Sequence, residues 1–268
     1  MKVAGKVIVV TGAGNGIGRQ VALECIRRGA RVAAVDISQE GLEETVALAA
    51  AGDRIAAFTV DLTDREVVHA LPQRVTDTLS APDGVIHVAG IIQPFVRIAE
   101  LGYDAIQRVI DVNLHGTIHV VKAFVPVLLE RPEAHLANVS SMGGFLPVPG
   151  QAIYGATKAA VRLMTEALYA ELLDTSVGVS VVFPGAVSTD ITANSGVEVS
   201  RAMADAGEGA SFPTTSPEDA ATLILDGIEA DKLHIFVGRD ARMMNLANRV
   251  APRRSTHLIT NKMKDLLG

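Results

Sequence analysis

The chain has 268 residues, of which 49% are hydrophobic and 20% charged, ample apolar material for one large α/β core. A net charge of −6 argues against general nucleic-acid binding, and a single cysteine, Cys25, excludes an internal disulfide or a cysteine-rich zinc site. The amino-terminal MKVAGKVIVVTG lacks the length and cleavage pattern of a signal peptide, and no uninterrupted apolar run reaches membrane-spanning length, so a soluble cytoplasmic protein is expected.

Short β-branched runs alternate with longer amphipathic stretches. VIVV (7–10) precedes a helical pattern from Gly16 to Arg28, RVAAV (31–35) precedes GLEETVALAA (41–50), and IAAFTV (55–60) precedes a helical stretch from Thr63 to about Leu79. GVIHV (84–88) is followed by one long helical pattern over 103–129, HLANV (135–139) by another over 152–173, and VSVVF (179–183) closes the regular part. Continuous apolar strands separated by helices predict a doubly wound parallel sheet of about seven strands, covered on both faces, in a single domain spanning 1–268. Ligands of such sheets bind at the carboxyl ends of the strands. Residues 186–215 break the rhythm with Ser, Thr, Gly and Ala and are expected to form a functional loop. A helix capped by Ser216, with Pro217 at its first position, and a last strand HIFVG (234–238) complete the pattern.

TGAGNGIG (11–18) sits where the first strand turns into a helix. Glycines at Gly12, Gly16 and Gly18 let backbone approach a pyrophosphate, and the helix start offers it free N–H groups. Asp36 ends the second strand, eighteen residues after Gly18. A carboxylate there can accept hydrogen bonds from both ribose hydroxyls of NAD and would repel the 2′-phosphate of NADP; the flanking Asn15 and Ile37 bring no cation. NAD is therefore favoured over NADP. Downstream, QAIYGATK (151–158) places Lys158 four residues after Tyr154, on the same helix face. Free tyrosine titrates near about 10, and a neighbouring ammonium favours phenolate, which makes the pair a candidate proton-transfer device.

In order along the chain, TGAGNGIG, VDLTD, HVAG, DVNLHG, NVSSMGG, YGATK and PGAVST together resemble the short-chain dehydrogenases/reductases, in their branch of roughly 250-residue subunits. The resemblance implies a Rossmann fold in which Tyr154 is the acid/base, Lys158 lowers its pKa and binds the nicotinamide ribose, Ser141 holds the substrate oxygen, and Asn113 positions a water linking Lys158 to solvent. It implies cofactor contacts from Gly12, Asn15, Gly16, Ile17, Gly18, Asp36, Asp61 and Leu62 on the adenosine and pyrophosphate side. Ala89, Gly90, Pro184, Gly185, Val187 and Thr189 would line the nicotinamide side. Strand alternation separates Ser140 from Ser141. The family's N-N-A-G is departed from at His87-Val88-Ala89-Gly90, where Val88 replaces an asparagine that braces the sheet beside the cofactor.

The expected activity is NAD(H)-dependent interconversion of a secondary alcohol and its ketone; an NADPH-dependent 3-ketoacyl reductase and a non-catalytic dinucleotide sensor are the alternatives. Ser141, Gly143, Phe145, Pro147, Gln151 and Tyr154 are the candidate substrate contacts. The apolar run 143–148 suggests a hydrophobic substrate. The resemblance also implies a homotetramer or dimer built on helices 103–129 and 152–173. His115 and His119 have ligand-like spacing but no evident third partner, so no metal is expected. Asn138-Val139-Ser140 matches a glycosylation sequon but falls in a predicted buried strand. Residues 239–268 carry seven Lys/Arg against two Asp, a net of +5, in a helical tail that closes the substrate pocket or, alternatively, meets another subunit or a membrane surface.

Overall fold

The computed structural model describes residues 1–189, 191–197 and 214–263. The expected loop 186–215 and tail 239–268 therefore lie partly outside the described residues. The strands are β1 (Val7–Thr11), β2 (Arg31–Asp36), β3 (Ile55–Thr59), β4 (Gly84–His87), β5 (Ala134–Val139), β6 (Val177–Pro184) and β7 (His234–Val237). They form one sheet in the order β3-β2-β1-β4-β5-β6-β7, every pair parallel. The order reverses between β1 and β4, which opens a crevice at their carboxyl ends.

Alternation along β1 feeds two cores. Ile8 and Val10 face helices α1 (Gly16–Arg27) and α8 (Pro217–Glu229), packing with Val21, Cys25, Ile224 and Leu225. Val7 and Val9 face α3 (Arg65–Thr78), α5 (Gly116–Leu129) and α6 (Ala152–Glu171), packing with Leu71, Phe124, Leu128 and Leu168. Each such side chain contributes about 1.5–3 kcal/mol when fully buried, which is why both faces of these strands read as continuous apolar runs. Helix α2 (Gln39–Ala49) packs on β3 and starts at Ser38, whose hydroxyl accepts from Gly41 N.

The helix expected over 103–129 is interrupted. It runs as α4 (Tyr103–Ile110), a π-turn (Asp111–His115) and α5. By length and composition Tyr103–Leu129 could cross a membrane, an 18-residue window of it having a mean hydropathy of 1.4 although charges interrupt the apolar run; here Val109, Val120, Phe124 and Leu128 are buried inside the fold. Within the expected loop, Ile191–Asn194 forms one helical turn, α7, and Val187 bridges Thr215 in parallel, clasping the ends of the segment. The tail is two helices, α9 (Arg239–Val250) and α10 (Pro252–Met263). Pro252 cannot continue the first and suits the start of the second.

Candidate active site

A cleft of about 880 Å³ runs along the carboxyl ends of β1, β2, β4, β5 and β6. At one end lies the glycine loop. Gly12 has φ +70°, and a Cβ on it would fall 2.9 Å from the Ala89 amide; a Cβ on Gly18 would overlap the Gly12 carbonyl. Helices α2, α3 and α8 are capped by Ser38, Asp64 and Ser216, whereas Asn15 leaves the start of α1 without a side-chain cap and the first turn holds no acid. The N–H groups there are the kind that receive an anionic ligand. A dinucleotide fits these residues, because the pinched glycines and uncapped helix form a backbone cradle that a side chain would fill.

Asn15, Gly16, Ile17, Asp61 and Leu62 also line this end. The Asp36 carboxylate accepts from Gly14 N and from Ser38 N, each at 2.9 Å, which fixes its plane at the rim. Asp61 accepts from the amide and hydroxyl of Thr63. Arg19, a cation the flanking residues did not suggest, is engaged by the Gly14 carbonyl, by Thr45 and by Glu44 at 2.7 Å.

At the other end, Ser141, Tyr154 and Lys158 meet, with Ala89, Gly90, Pro184, Gly185, Val187 and Thr189 around them. The two serines diverge at the end of β5. Ser140 donates to the Lys158 carbonyl at 2.7 Å, while Ser141 accepts from Gly143 N at 3.0 Å and faces Tyr154 closely enough to act on its titration. Lys158 is buried and donates to the Val139 carbonyl at 3.0 Å. Burial lowers its pKa to about 8. Of its three N–H donors, this bond uses one, so donors remain for a group in the cleft.

Burial raises the pKa of Tyr154, with the Ser141 side chain acting against it. The expected lowering by Lys158 is thus not what dominates here. Desolvation disfavours both charged forms, and the opposing pull on Tyr154 comes from Ser141.

Asn113 does not line the cleft. Fully buried in the π-turn, it accepts from Ile91 N at 2.8 Å and donates to Ile91 O at 2.9 Å and to Thr157 at 3.2 Å. A Cβ on Gly90 would lie 3.1 Å from Asn113 Oδ1 and 2.9 Å from Lys158 Nζ. A side chain at 90 would therefore press on both groups where the turn passes between them.

The apolar substrate wall expected from 143–148 is corrected. Phe145 turns away and stacks edge-on with Phe183 and Phe236, Leu146 packs with Met244 of α9 and Ile259 of α10, and Pro147 is exposed. The tail draws this segment outward, with Asn248 donating to the Phe145 carbonyl at 2.7 Å. Gln151 is buried too, donating to the Gln93 carbonyl at 2.8 Å. Of the substrate set, Ser141 and Tyr154 line the cleft, and Gly143 lies against the Tyr154 ring without lining it. Ile91, Ile92 and Ile191 supply the apolar lining instead.

Sequence reasoning missed Gln93. Its side-chain oxygen accepts from Ile153 N at 2.8 Å and Tyr154 N at 3.0 Å, and its amide donates to Gly150 O, so it caps the helix that carries Tyr154 and Lys158. No motif marks a glutamine sixty residues upstream as a cap. Asp240 was missed as well; it accepts from Ala186 N at 2.8 Å and holds the Gly185–Val187 wall. His115 and His119 have separate partners, Asp111 and the Leu62 carbonyl. Asn138 is buried in β5 and donates to Thr165.

Comparison with known proteins agrees with this arrangement. The family described as short chain dehydrogenase matches residues 6–199. A 1-deoxy-11-beta-hydroxypentalenate dehydrogenase from Streptomyces exfoliatus is 36% identical over 238 residues, covering 88% of this chain and 84% of the relative. A short chain dehydrogenase/reductase from Burkholderia phymatum, solved with NAD, superposes with a TM-score of 0.83 at 26% identity, over 93% of this chain and 96% of the other. A short chain dehydrogenase from Burkholderia cenocepacia, solved with NADP, gives 0.81 at 26% identity, over 97% and 99%. With its family match over residues 6–199, a seven-stranded parallel sheet and a Ser-Tyr-Lys cluster in one cleft, this chain belongs to the short-chain dehydrogenase/reductase family of oxidoreductases.

Proposed function

We propose that the protein is an NAD(H)-dependent oxidoreductase that interconverts a hydrophobic secondary alcohol and its ketone. The observation that carries this reading is the meeting of Ser141, Tyr154 and Lys158 in the same cleft as the uncapped glycine loop. A bound nicotinamide dinucleotide would supply the hydride acceptor or donor. In oxidation, Tyr154 takes the hydroxyl proton of the alcohol as its C–H hydride leaves; in reduction, Tyr154 returns a proton to the oxygen. Ser141, its acceptor side held by Gly143 N, turns its hydrogen toward the same oxygen and stabilises developing negative charge there. Lys158 is held by Val139 O with donors free for the ribose. Because Tyr154 must be phenolate to accept and phenol to donate, kcat/KM for oxidation rises with pH through the alkaline range and that for reduction falls.

Asp36 at the cleft rim supports NAD. Its fixed carboxylate suits ribose hydroxyls and opposes a phosphate, and Arg19 is already paired with Glu44. The isoleucines 91, 92 and 191 support an apolar substrate wall, and the Streptomyces relative, named for a hydroxypentalenate, supports a hydroxyl-bearing substrate. The exposed Leu163 and Tyr169 of α6, with Leu173 just beyond it, support self-association through that helix, which light scattering would report as a dimer or tetramer. Reduction of NAD⁺ and NADP⁺ is to be measured across a panel of aliphatic, aryl and polycyclic secondary alcohols. Turnover with NAD⁺ at least about tenfold above NADP⁺ in kcat/KM is expected. Binding of NAD⁺ without turnover of any alcohol would replace the enzyme by a dinucleotide sensor.

A further inference from the structure

A run of buried polar groups joins β4 to the π-turn, and the chemistry above does not use it. His87, the last residue of β4, is 1% exposed. Its Nδ1 lies 2.7 Å from Thr11 Oγ1 and its Nε2 lies 2.9 Å from Thr117 Oγ1. Thr117 Oγ1 is also 2.6 Å from the Asn113 carbonyl oxygen, and Thr11 Oγ1 accepts from the amides of Val88 at 3.2 Å and Ala89 at 3.3 Å.

These contacts fix every hydrogen. Two oxygens 2.6 Å apart need a proton between them, and a carbonyl has none, so Thr117 donates to Asn113. Thr117 then has only lone pairs for His87, which requires the proton on Nε2. Burial keeps the imidazole neutral, with a pKa near 3, so Nδ1 is a lone pair and Thr11 donates to it. Hydrogen bonds therefore run in one direction from Thr11 through His87 and Thr117 to Asn113.

The chain links the two sides of the turn that passes Lys158. On one side Thr11 holds Val88 and Ala89; on the other Asn113 holds both main-chain groups of Ile91; Gly90 between them lies against the ammonium. Val88 brings no polar side chain to this turn. We propose that His87, as the Nε2-protonated tautomer, is a positioning residue that acts through Thr117 to set the π-turn and Asn113 against the floor beside Lys158. Its effect on turnover rests on the oxidoreductase reading above; its effect on the turn does not.

Three measurements test this. In ¹⁵N-histidine-labelled protein, with the His87 signals assigned by loss in His87→Asn, long-range ¹H–¹⁵N spectra between pH 6 and 9 are expected to show Nε2 protonated and Nδ1 bare throughout. A protonated Nδ1 or a titrating ring overturns the proposal. Asparagine at 87 can still meet Thr11 but is too short for Thr117, and Thr117→Val removes the hydroxyl at constant shape. In either variant the Ile91 amide is expected to exchange about tenfold faster while the Val10 amide in β1 keeps its protection. Unchanged exchange at Ile91, or equal loss at Val10, overturns it.

Kinetically, each variant is expected to lower kcat about tenfold with the NAD⁺ KM within about twofold, the double variant to be no worse than either single one, and Thr117→Ser to restore the rate. Wild-type kcat in both single variants overturns the proposal. A wild-type protein that turns over no alcohol removes the proposed function instead, and tautomer and exchange then decide the brace alone.

Discussion

The two ends of the cleft are built from different materials. At the dinucleotide end, backbone does the work, and Gly12, Gly16 and Gly18 matter for the side chains they lack. At the proposed catalytic end, buried side chains do the work, and each candidate group leans on another: Lys158 on Val139 O, Ser141 on Gly143 N, the start of α6 on Gln93. A cradle of N–H groups fails by steric intrusion, nearly all at once. A network of side chains fails by degrees, because each lost bond shifts its neighbours without blocking the site.

The largest expected effects separate the two ends. Tyr154→Phe removes the proposed acid/base and leaves the glycine loop intact. Its kcat should fall about a thousandfold, with NAD⁺ affinity by calorimetry and the circular dichroism spectrum unchanged. Gly18→Ala drives a Cβ into the Gly12 carbonyl, so the loop must open. Calorimetry should show NAD⁺ affinity lower by about a hundredfold, equivalent to roughly 2.7 kcal/mol, while the pH dependence of residual turnover keeps its shape. Near wild-type rates in the first variant, or tight NAD⁺ binding in the second, would break the comparison.

The contrast also explains what was legible. A backbone site leaves a spaced pattern of glycines, and parallel strands leave apolar runs, so the sheet and glycine loop could be read directly. Tyr154 and Lys158 were legible as a pair four residues apart, and Ser141 through the resemblance to the family. Their supports were not, because Gln93, His87 and Asp240 reach their partners across the fold and carry no local pattern. The π-turn was hidden for a related reason: apolar periodicity reports which side of a helix is buried, and it continues through one widened turn that brings Asn113 to Ile91. Phe145 was misplaced because α9 and α10, about a hundred residues later, cover the segment that an isolated reading turns toward the cleft.

Lys158 sharpens the comparison in terms of stability. Its value in the fold is about 8, against 10.5 when unperturbed. Below pH 8 both folded and unfolded chains carry the charge, and the burial penalty acts in full. Between the two values the folded lysine loses its proton before the unfolded one does, so this group makes stability rise with pH. Lys158→Met should therefore be more stable than the wild type at pH 7 by about 3 kcal/mol, with the gap narrowing toward pH 10, in urea unfolding without cofactor. A variant less stable at pH 7 would show that the Val139 bond outweighs desolvation. Substituting Gly12, Gly16 or Gly18 is expected to give no such pH signature, since no titrating side chain lies against these three glycines.

The smallest expected effect lies in the cap on α6. Gln93 satisfies two amides at the start of the helix and hands its own N–H to Gly150, while Gln151 bonds back to its main chain. Gln93→Leu keeps the bulk and leaves those amides buried without partners, at about 1–3 kcal/mol. The helix start must then loosen, and Tyr154 sits in its first turn, whereas Lys158, one turn on, is still pinned by Val139 and Ser140. A lower kcat, by about tenfold, with NAD⁺ affinity unchanged is the expected split. Because the cap holds Tyr154 and not Lys158, the residue proposed to meet the ribose, a parallel loss of NAD⁺ affinity would mean that the helix moves as one rigid piece, and that the two ends of the cleft are less independent than their materials suggest.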